Sequence, residues 1–336
     1  YLPHLRHVAH EARMRLDWPG ALLIAVALGS LQLFVERLPG RGLTASAIGL
    51  LALALAAGWV LWQWERRCPQ AILPVDMFRN ASLNALFTLA VLGGFTMFSL
   101  LFYAPLLFQG GFGMTPKEAG VVITPLVVFI TIGSIANGRI VSRIRNPSLM
   151  LYIGFAMLAV ACFAVALATR NTPRGLLMTF MIVAGIGLGF VMPNLTVFAQ
   201  QTAGREHLGI ATALLQSLRM IGGMIGTALT GTMVTQLYSS GVQRALDADH
   251  ATHWLPQLAD PQILINRDAQ ASLIADLAHA GHNGAPLLEA AREALVGAIH
   301  LGIAVAAAIA VVSIWQTRRV PPVKLQRKLE PVIHAD

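Results

Sequence analysis

Arg219 is the residue of this chain whose type and position most constrain its chemistry. It stands inside an otherwise uncharged apolar run, twelve positions after His207. At about 1.5 Å per residue that is roughly 18 Å along a helix, too deep for the head group to reach water with ease. A guanidinium at such depth costs a few kcal/mol and faces either a partner or a water-filled cavity. Gln216, three residues earlier, shares its helix face, and Gly222, Gly223 and Gly226 follow as small residues that let helices approach closely. Two readings stand side by side: a residue of a substrate or ion pathway, or a hydrogen-bonding clamp between helices.

Other candidate chemistry is weaker. His250 with His253 and His279 with His282 stand three apart beside Asp247, Asp249 and Asp276, and that spacing can place two imidazoles on one helix face. No cysteine joins them and nothing fixes a third ligand, so they read as solvated loop histidines; His4, His7 and His10 read the same way, and no metal is expected. Gly185, Gly187 and Gly189 imitate part of a dinucleotide fingerprint, which needs a strand before it and a water-accessible phosphate site. Inside an apolar run they read as packing or hinge positions, with Pro193 and Asn194 loosening the second half of the same helix. No cofactor follows. Cys68 and Cys162 form neither a disulfide framework nor a zinc pattern. Hydrolase serine motifs, metalloprotease histidine pairs and paired catalytic acids are not found, so the chain does not read as an enzyme.

The elements that must position these residues are apolar. Of 336 residues, 56% are hydrophobic and 12% charged, against about 25% charged in a soluble domain. A bilayer core takes about 20 apolar residues as a helix. Eight such runs are present, at about 18–35, 43–64, 81–108, 119–138, 148–169, 175–199, 208–237 and 294–316, and only the seventh holds an Asp, Glu, Lys or Arg. An outer-membrane barrel would need alternating ten-residue segments, which stretches such as 50–57 do not supply. The fold expected is all-α and transmembrane.

The net charge of +8 reads as topology, not as nucleic-acid binding, because cytoplasmic loops retain Lys and Arg. With the amino end inside, the inner segments hold Arg66, Arg67, Arg79, Arg139, Arg143, Arg145 and the basic groups of both ends, and the outer segments hold fewer. Trp18, Trp62, Trp64 and Trp315 fall at the inner ends of spans, where an amphipathic ring prefers the headgroup zone. Both termini are expected in the cytoplasm. The longest connection, 239–285, faces outward, and apolar residues at helical spacing within 261–280 predict a short surface helix or two. Beginning at Tyr1, without methionine or signal-peptide layout, the chain is expected to be a piece of a longer protein. Its divisions are a cytoplasmic segment 1–17, two accessory spans with an inner connection 18–80, a six-helix bundle 81–320 and a cytoplasmic tail 321–336.

Phe87, Phe95, Met97, Phe98, Phe102, Tyr103 and Phe108 crowd the third span. They line a greasy pocket or face lipid; Tyr103 also seeks a polar partner for its hydroxyl. No carboxylate lies within any span, the nearest being Glu289 and Glu293 at the outer edge of the last.

Several strings, in order, resemble the carboxyl-terminal portion of a fourteen-span drug:proton antiporter of the major facilitator superfamily, the EmrB/QacA-like group. Leu16-Asp17-Trp18-Pro19-Gly20 is similar to the approach to that group's two additional spans. Leu73-Pro74-Val75-Asp76-Met77-Phe78-Arg79-Asn80 resembles its connection into the second six-helix bundle, and Phe102-Tyr103-Ala104-Pro105-Leu106-Leu107-Phe108-Gln109 the end of that bundle's first helix. The run from Gly185 to Pro193 fits the fourth helix and that from Arg219 to Ala228 the fifth. Gly138, Arg139 and Arg143 lie where the superfamily repeats a Gly-x-x-x-Asp-Arg gating loop; Ser142 replaces the acid, Arg145 a glycine and Pro147 a basic residue.

The resemblance implies a secondary transporter that exports drugs or other lipophilic or cationic molecules in exchange for protons, across the bacterial inner membrane. This piece would supply half the cavity wall, with Arg219, Gln216, Asn194, Tyr103, Phe95 and Phe98 along the path. The partners implied are the small-molecule substrate, protons, membrane lipids and a missing amino-terminal six-helix bundle that carries the proton-coupling acids. The alternatives are an exporter of one metabolite or siderophore, and a non-transporting membrane module that pairs with a separate partner bundle.

Overall fold

The computed structural model describes residues 17–41, 44–67, 77, 80–204, 207–248, 254–258, 260–279 and 284–320. Residues 1–16 and 321–336, Cys68, Arg205, His250, His253, His282 and most of the string 73–79 lie outside the described residues.

Helices begin where a side chain can take the amide protons that a first turn leaves unpaired. Asp17 accepts from the Gly20 amide at 3.0 Å and opens α1 (Trp18–Arg41). Thr44 does so for α2 (Ala45–Glu65), and Asn80 for α3 (Ala81–Leu106), which ends in a π turn over Leu107–Gly111. A reciprocal Thr115/Glu118 capping box starts α4 (Pro116–Val141). Then follow α5 (Leu149–Ala166), α6 (Arg174–Ala203) and α7 (Leu208–Ala248). The one-turn α8 (Leu255–Leu258), a 3-10 turn at Pro261–Leu264 and α9 (Arg267–His279) lead to α10 (Gly284–Thr317). All but α8 and α9 are long and apolar enough to cross a membrane, eight among the described residues. The chain is an all-α integral membrane protein.

Two helices outrun their apolar windows by ten residues or more. α7 continues about three turns past 237, and α10 starts ten residues before 294. Hydropathy marks only the stretch that meets hydrocarbon; beyond it, a helix persists if one stripe remains buried. Tyr238, Val242 and Leu246 form that stripe on α7, and Leu287, Leu288, Ala291 and Leu295 on α10. The described part of the long polar connection is consequently a folded cap: its own Leu264, Leu273 and Leu277 are buried, and the Tyr238 hydroxyl donates to the Leu258 carbonyl at 2.8 Å.

Inside the bundle α3 lies against α7 and α10, α4 against α6, and α5 against α6 and α10; the α1–α2 hairpin meets the bundle through α7. Two apolar clusters fill it. One, at the capped end, includes Leu107, Phe108, Leu177, Tyr238 and Leu295. The other, toward the end that carries Arg139, Arg143 and Arg145, includes Met77, Leu86, Phe155, Phe198 and Val320. At this second, basic end the Trp64 indole donates to Asp17 at 3.1 Å, joining the start of α1 to the end of α2. Arg66 and Arg319 lie over the Trp62 and Trp315 rings, at 6.0 and 5.1 Å.

The closest approaches are between backbones. A Cβ on Gly222 would stand 2.0 Å from the Val91 carbonyl oxygen, and one on Gly94 2.0 Å from that of Arg219, so α3 and α7 touch main chain to main chain. On α6, Gly185 and Gly189 do the same against the Leu126 and Ile130 carbonyls of α4, at 2.4 and 2.6 Å, while Gly187 meets the Gly154 carbonyl of α5 at 2.8 Å. Without a hydrophobic driving force between helices in lipid, such van der Waals contact is what holds them. Gly222→Ala is expected to cost about 1–3 kcal/mol by overpacking, read as thermal unfolding of the purified chain in detergent. Gly120→Ala, where a Cβ meets nothing within 4 Å, should change stability by less than about 0.5 kcal/mol.

Candidate functional site

Arg219 lies about 17 Å from the start of α7 at Leu208. Its own carbonyl is pressed onto Gly94, so the residue is fixed at the line where α3 and α7 touch and its side chain must leave that line sideways. It crosses to α6, where Nη1 donates to the Met192 sulfur at 2.8 Å. A thioether is a weak acceptor and carries no charge. Among the described residues no carboxylate pairs with Arg219, and the guanidinium is half-buried. Met192 in turn reaches Gly93 of α3, as does the Phe155 ring of α5. Four helices therefore converge beneath the charge. Gln216 is exposed one turn away, beside exposed Met220.

The aromatic residues of α3 divide. Phe95 is buried, its backbone against Gly226. Phe98 rests on Gly223 and stacks with exposed Phe102, ring centroids 6.1 Å apart. Tyr103 is half-buried and donates its hydroxyl to the Thr227 carbonyl at 2.9 Å. Arg219, Gln216, Phe98 and Tyr103 thus belong to one region along the α3–α7 seam.

Asn194 stands elsewhere. It is buried and donates to Asn137 of α4 at 2.7 Å and to the Phe190 carbonyl at 2.7 Å. Pro193 has no N–H to give the carbonyl four residues back, and the Asn194 amide supplies a local polar tie at the same turn. Asn137, equally buried, is a partner that the sequence alone did not single out, and neither are Ser99 and Thr230, which join α3 to α7 at 3.2 Å. A lone Asn or Ser in an apolar run gives no sign of which distant residue it faces.

Gly138 and Arg139 are exposed in the last turn of α4, and Arg143 is exposed just beyond. Among the described residues no carboxylate pairs with Arg139 or Arg143. A cation in the last turn of a helix suits its dipole. No group of three His, Cys, Asp or Glu among the described residues could hold a metal ion.

The family model of the Major Facilitator Superfamily matches residues 18–227. The chain is 31% identical over 229 residues to the methylenomycin A resistance protein of Streptomyces coelicolor, covering 67% of this chain and 48% of that protein. It is 29% identical to the tetracenomycin C resistance and export protein of Streptomyces glaucescens (67% and 42% covered). It is also 29% identical to the multidrug transporter protein MdtP of Bacillus subtilis (56% and 34%). The chain therefore spans about a third to a half of the length of these relatives. The fold resembles the crystal structure of a bacterial homologue of the human lysosomal transporter Spinster, inward-facing and unoccupied. The TM-score is 0.52 at 18% identity, covering 89% of this chain and 68% of that one.

Removing one amide of the Asn137–Asn194 pair leaves the other unsatisfied, which costs about 1–3 kcal/mol. Asn137→Leu and Asn194→Leu are each expected to destabilise the chain by that amount in detergent. The double variant should lose less than the sum, with a coupling of about 1 kcal/mol; strict additivity would show that the two side chains do not interact.

Proposed function

We propose, since the chain belongs to the Major Facilitator Superfamily, that it forms one half of a secondary active exporter of drugs or other lipophilic small molecules, driven by proton exchange. The observation that carries this reading is Arg219: a guanidinium in mid-span whose partner among the described residues is a thioether. An intramembrane cation without a counter-charge belongs on a water-filled path or against a partner outside the described residues. The names of the relatives, which speak of antibiotic resistance, export and multidrug transport, support the choice of cargo. In this reading α3, α4, α6 and α7 supply half the cavity wall, with Arg219, Gln216, Phe98 and Tyr103 facing the path and Asn194 and Phe95 holding the wall in shape.

A second six-helix bundle completes the site. Transporters of this build hold substrate between two repeat-related bundles and rock one against the other, and the chain spans only a third to a half of its relatives. That bundle would bring the acid for proton coupling. A lone guanidinium on this side favours lipophilic compounds with acceptor oxygens; a cationic substrate would find its counter-charge on the other half. The basic end, with Arg66, Arg67, Arg139, Arg143, Arg145, Arg318 and Arg319, faces the cytoplasm, and Gly138 and Arg139 in the last turn of α4, with Arg143 just beyond it, form the inner gate. The two-helix hairpin is accessory to the six-helix bundle, which begins at Ala81. The membrane is the bacterial inner membrane.

The test is drug accumulation in an efflux-deficient host expressing the chain together with its complementary bundle. Arg219→Ala is expected to abolish export while leaving membrane insertion intact, and Arg219→Lys to retain part of it. Full export by Arg219→Ala would remove the residue from the pathway, and an unchanged drug tolerance with the native pair would remove the export reading itself.

A further inference from the structure

Two hollows meet on the side of the bundle built by α5 and α10, and α7 contributes to neither. The first is an apolar groove of about 770 Å³ walled by Val160, Phe163 and Leu167 on one side and Ala304, Ala308 and Val311 on the other. The second, about 430 Å³, lies between the π turn after α3, the α5–α6 connection and α10, and carries Arg170, Glu289, Arg292, Glu293 and His300. They adjoin: Ala168 and Ala304 line the groove, Thr169 and His300 the polar hollow. His300 stands one helical turn from Ala304, and its ring lies close to the Ala168 backbone.

The polar hollow is not saturated by the protein. Arg170 pairs with Glu289, and one guanidinium nitrogen of Arg292 donates to Gln270 at 2.9 Å. Arg292 Nε and His300 Nε2, both buried, have no hydrogen-bond partner. Glu293 is exposed and without an ion pair among the described residues. Buried polar atoms are nearly always paired, so two orphans in one hollow point to a ligand. Two guanidinium groups and two carboxylates suit a ligand that itself carries both signs of charge. The groove sets the rest of its shape: from His300 to Val311 is eleven residues of α10, about 16 Å, close to half of the ~30 Å hydrocarbon core and so to the reach of one acyl chain.

We propose that the double hollow binds an aminophospholipid of the phosphatidylethanolamine type. The phosphate lies against Arg292 and Arg170, the primary ammonium donates to Glu293 and to His300 Nε2, and one acyl chain fills the α5/α10 groove. A quaternary ammonium has no N–H to give the imidazole, and phosphatidylglycerol has no cation for Glu293. The preference for the primary amine is therefore built into the site.

The experiment titrates the purified chain in detergent with phosphatidylethanolamine, phosphatidylcholine and phosphatidylglycerol of matched chains, and with phosphoethanolamine alone, and reads retained ligand by native mass spectrometry. Phosphatidylethanolamine is expected to be held about fivefold or more above the other two, and phosphoethanolamine not at all. Glu293→Gln, a change at an exposed position, and Arg292→Gln should each bring phosphatidylethanolamine down to the phosphatidylcholine level. Ala304→Trp, which fills the groove, should lower all three. Equal retention of the three lipids by the native chain, or a preference that survives both headgroup-site variants, overturns the proposal. Binding of phosphoethanolamine as tight as that of the lipid overturns its acyl-chain half.

Discussion

The contact of main chain with main chain between α3 and α7, and again between α4 and α6, sets the position of everything else in this molecule. Water is absent from the bilayer core, so backbone groups are satisfied within each helix and helices cohere by close packing. Glycine removes the side chain that would hold the axes apart. Where Gly94 meets the Arg219 carbonyl and Gly222 meets that of Val91, the register of α3 on α7 is fixed, and with it the depth and direction of the mid-span guanidinium. The charge is placed by the packing; Met192 only receives it.

The two contacts are reciprocal. Taking α3, α4 and α5 as one triplet and α6, α7 and α10 as another, the second helix of each lies on the first helix of the other, the arrangement of paired repeats in secondary transporters. Hydrogen bonds then refine what packing has set: Ser99 with Thr230 on one seam and Asn137 with Asn194 on the other. Such interhelical bonds are worth about 0.6 kcal/mol on average in membranes. They select a register among close alternatives and could not by themselves bring the helices together.

Much of this was legible in the sequence, for identifiable reasons. Spans are visible because each must offer about 20 apolar residues to lipid, whatever its neighbours, and the eight runs correspond to the eight long helices. Their ends were less legible, since α7 beyond 237 and α10 before 294 are held by a buried stripe over the α8–α9 cap and not by lipid. Arg219 stood out because charge is rare in a span. Asn137 did not, because its meaning lies in Asn194, 57 positions away. Nor did the hollow around Arg170, Arg292 and His300, where residues more than a hundred positions apart are brought together by the α5–α10 contact.

The central claim is that the Gln216 and Arg219 face of α7 opens on water within the membrane while the Phe163 face of α5 does not. Cysteine labelling tests it most directly. With Cys68 and Cys162 replaced by Ala, Gln216→Cys and Phe163→Cys are compared in the chain reconstituted in bilayers with the second bundle proposed for it, using a charged, membrane-impermeant maleimide. The account predicts rapid modification at 216, slowed by substrate, and none at 163. Silence at 216, or labelling at 163 as fast as at 216, would contradict it.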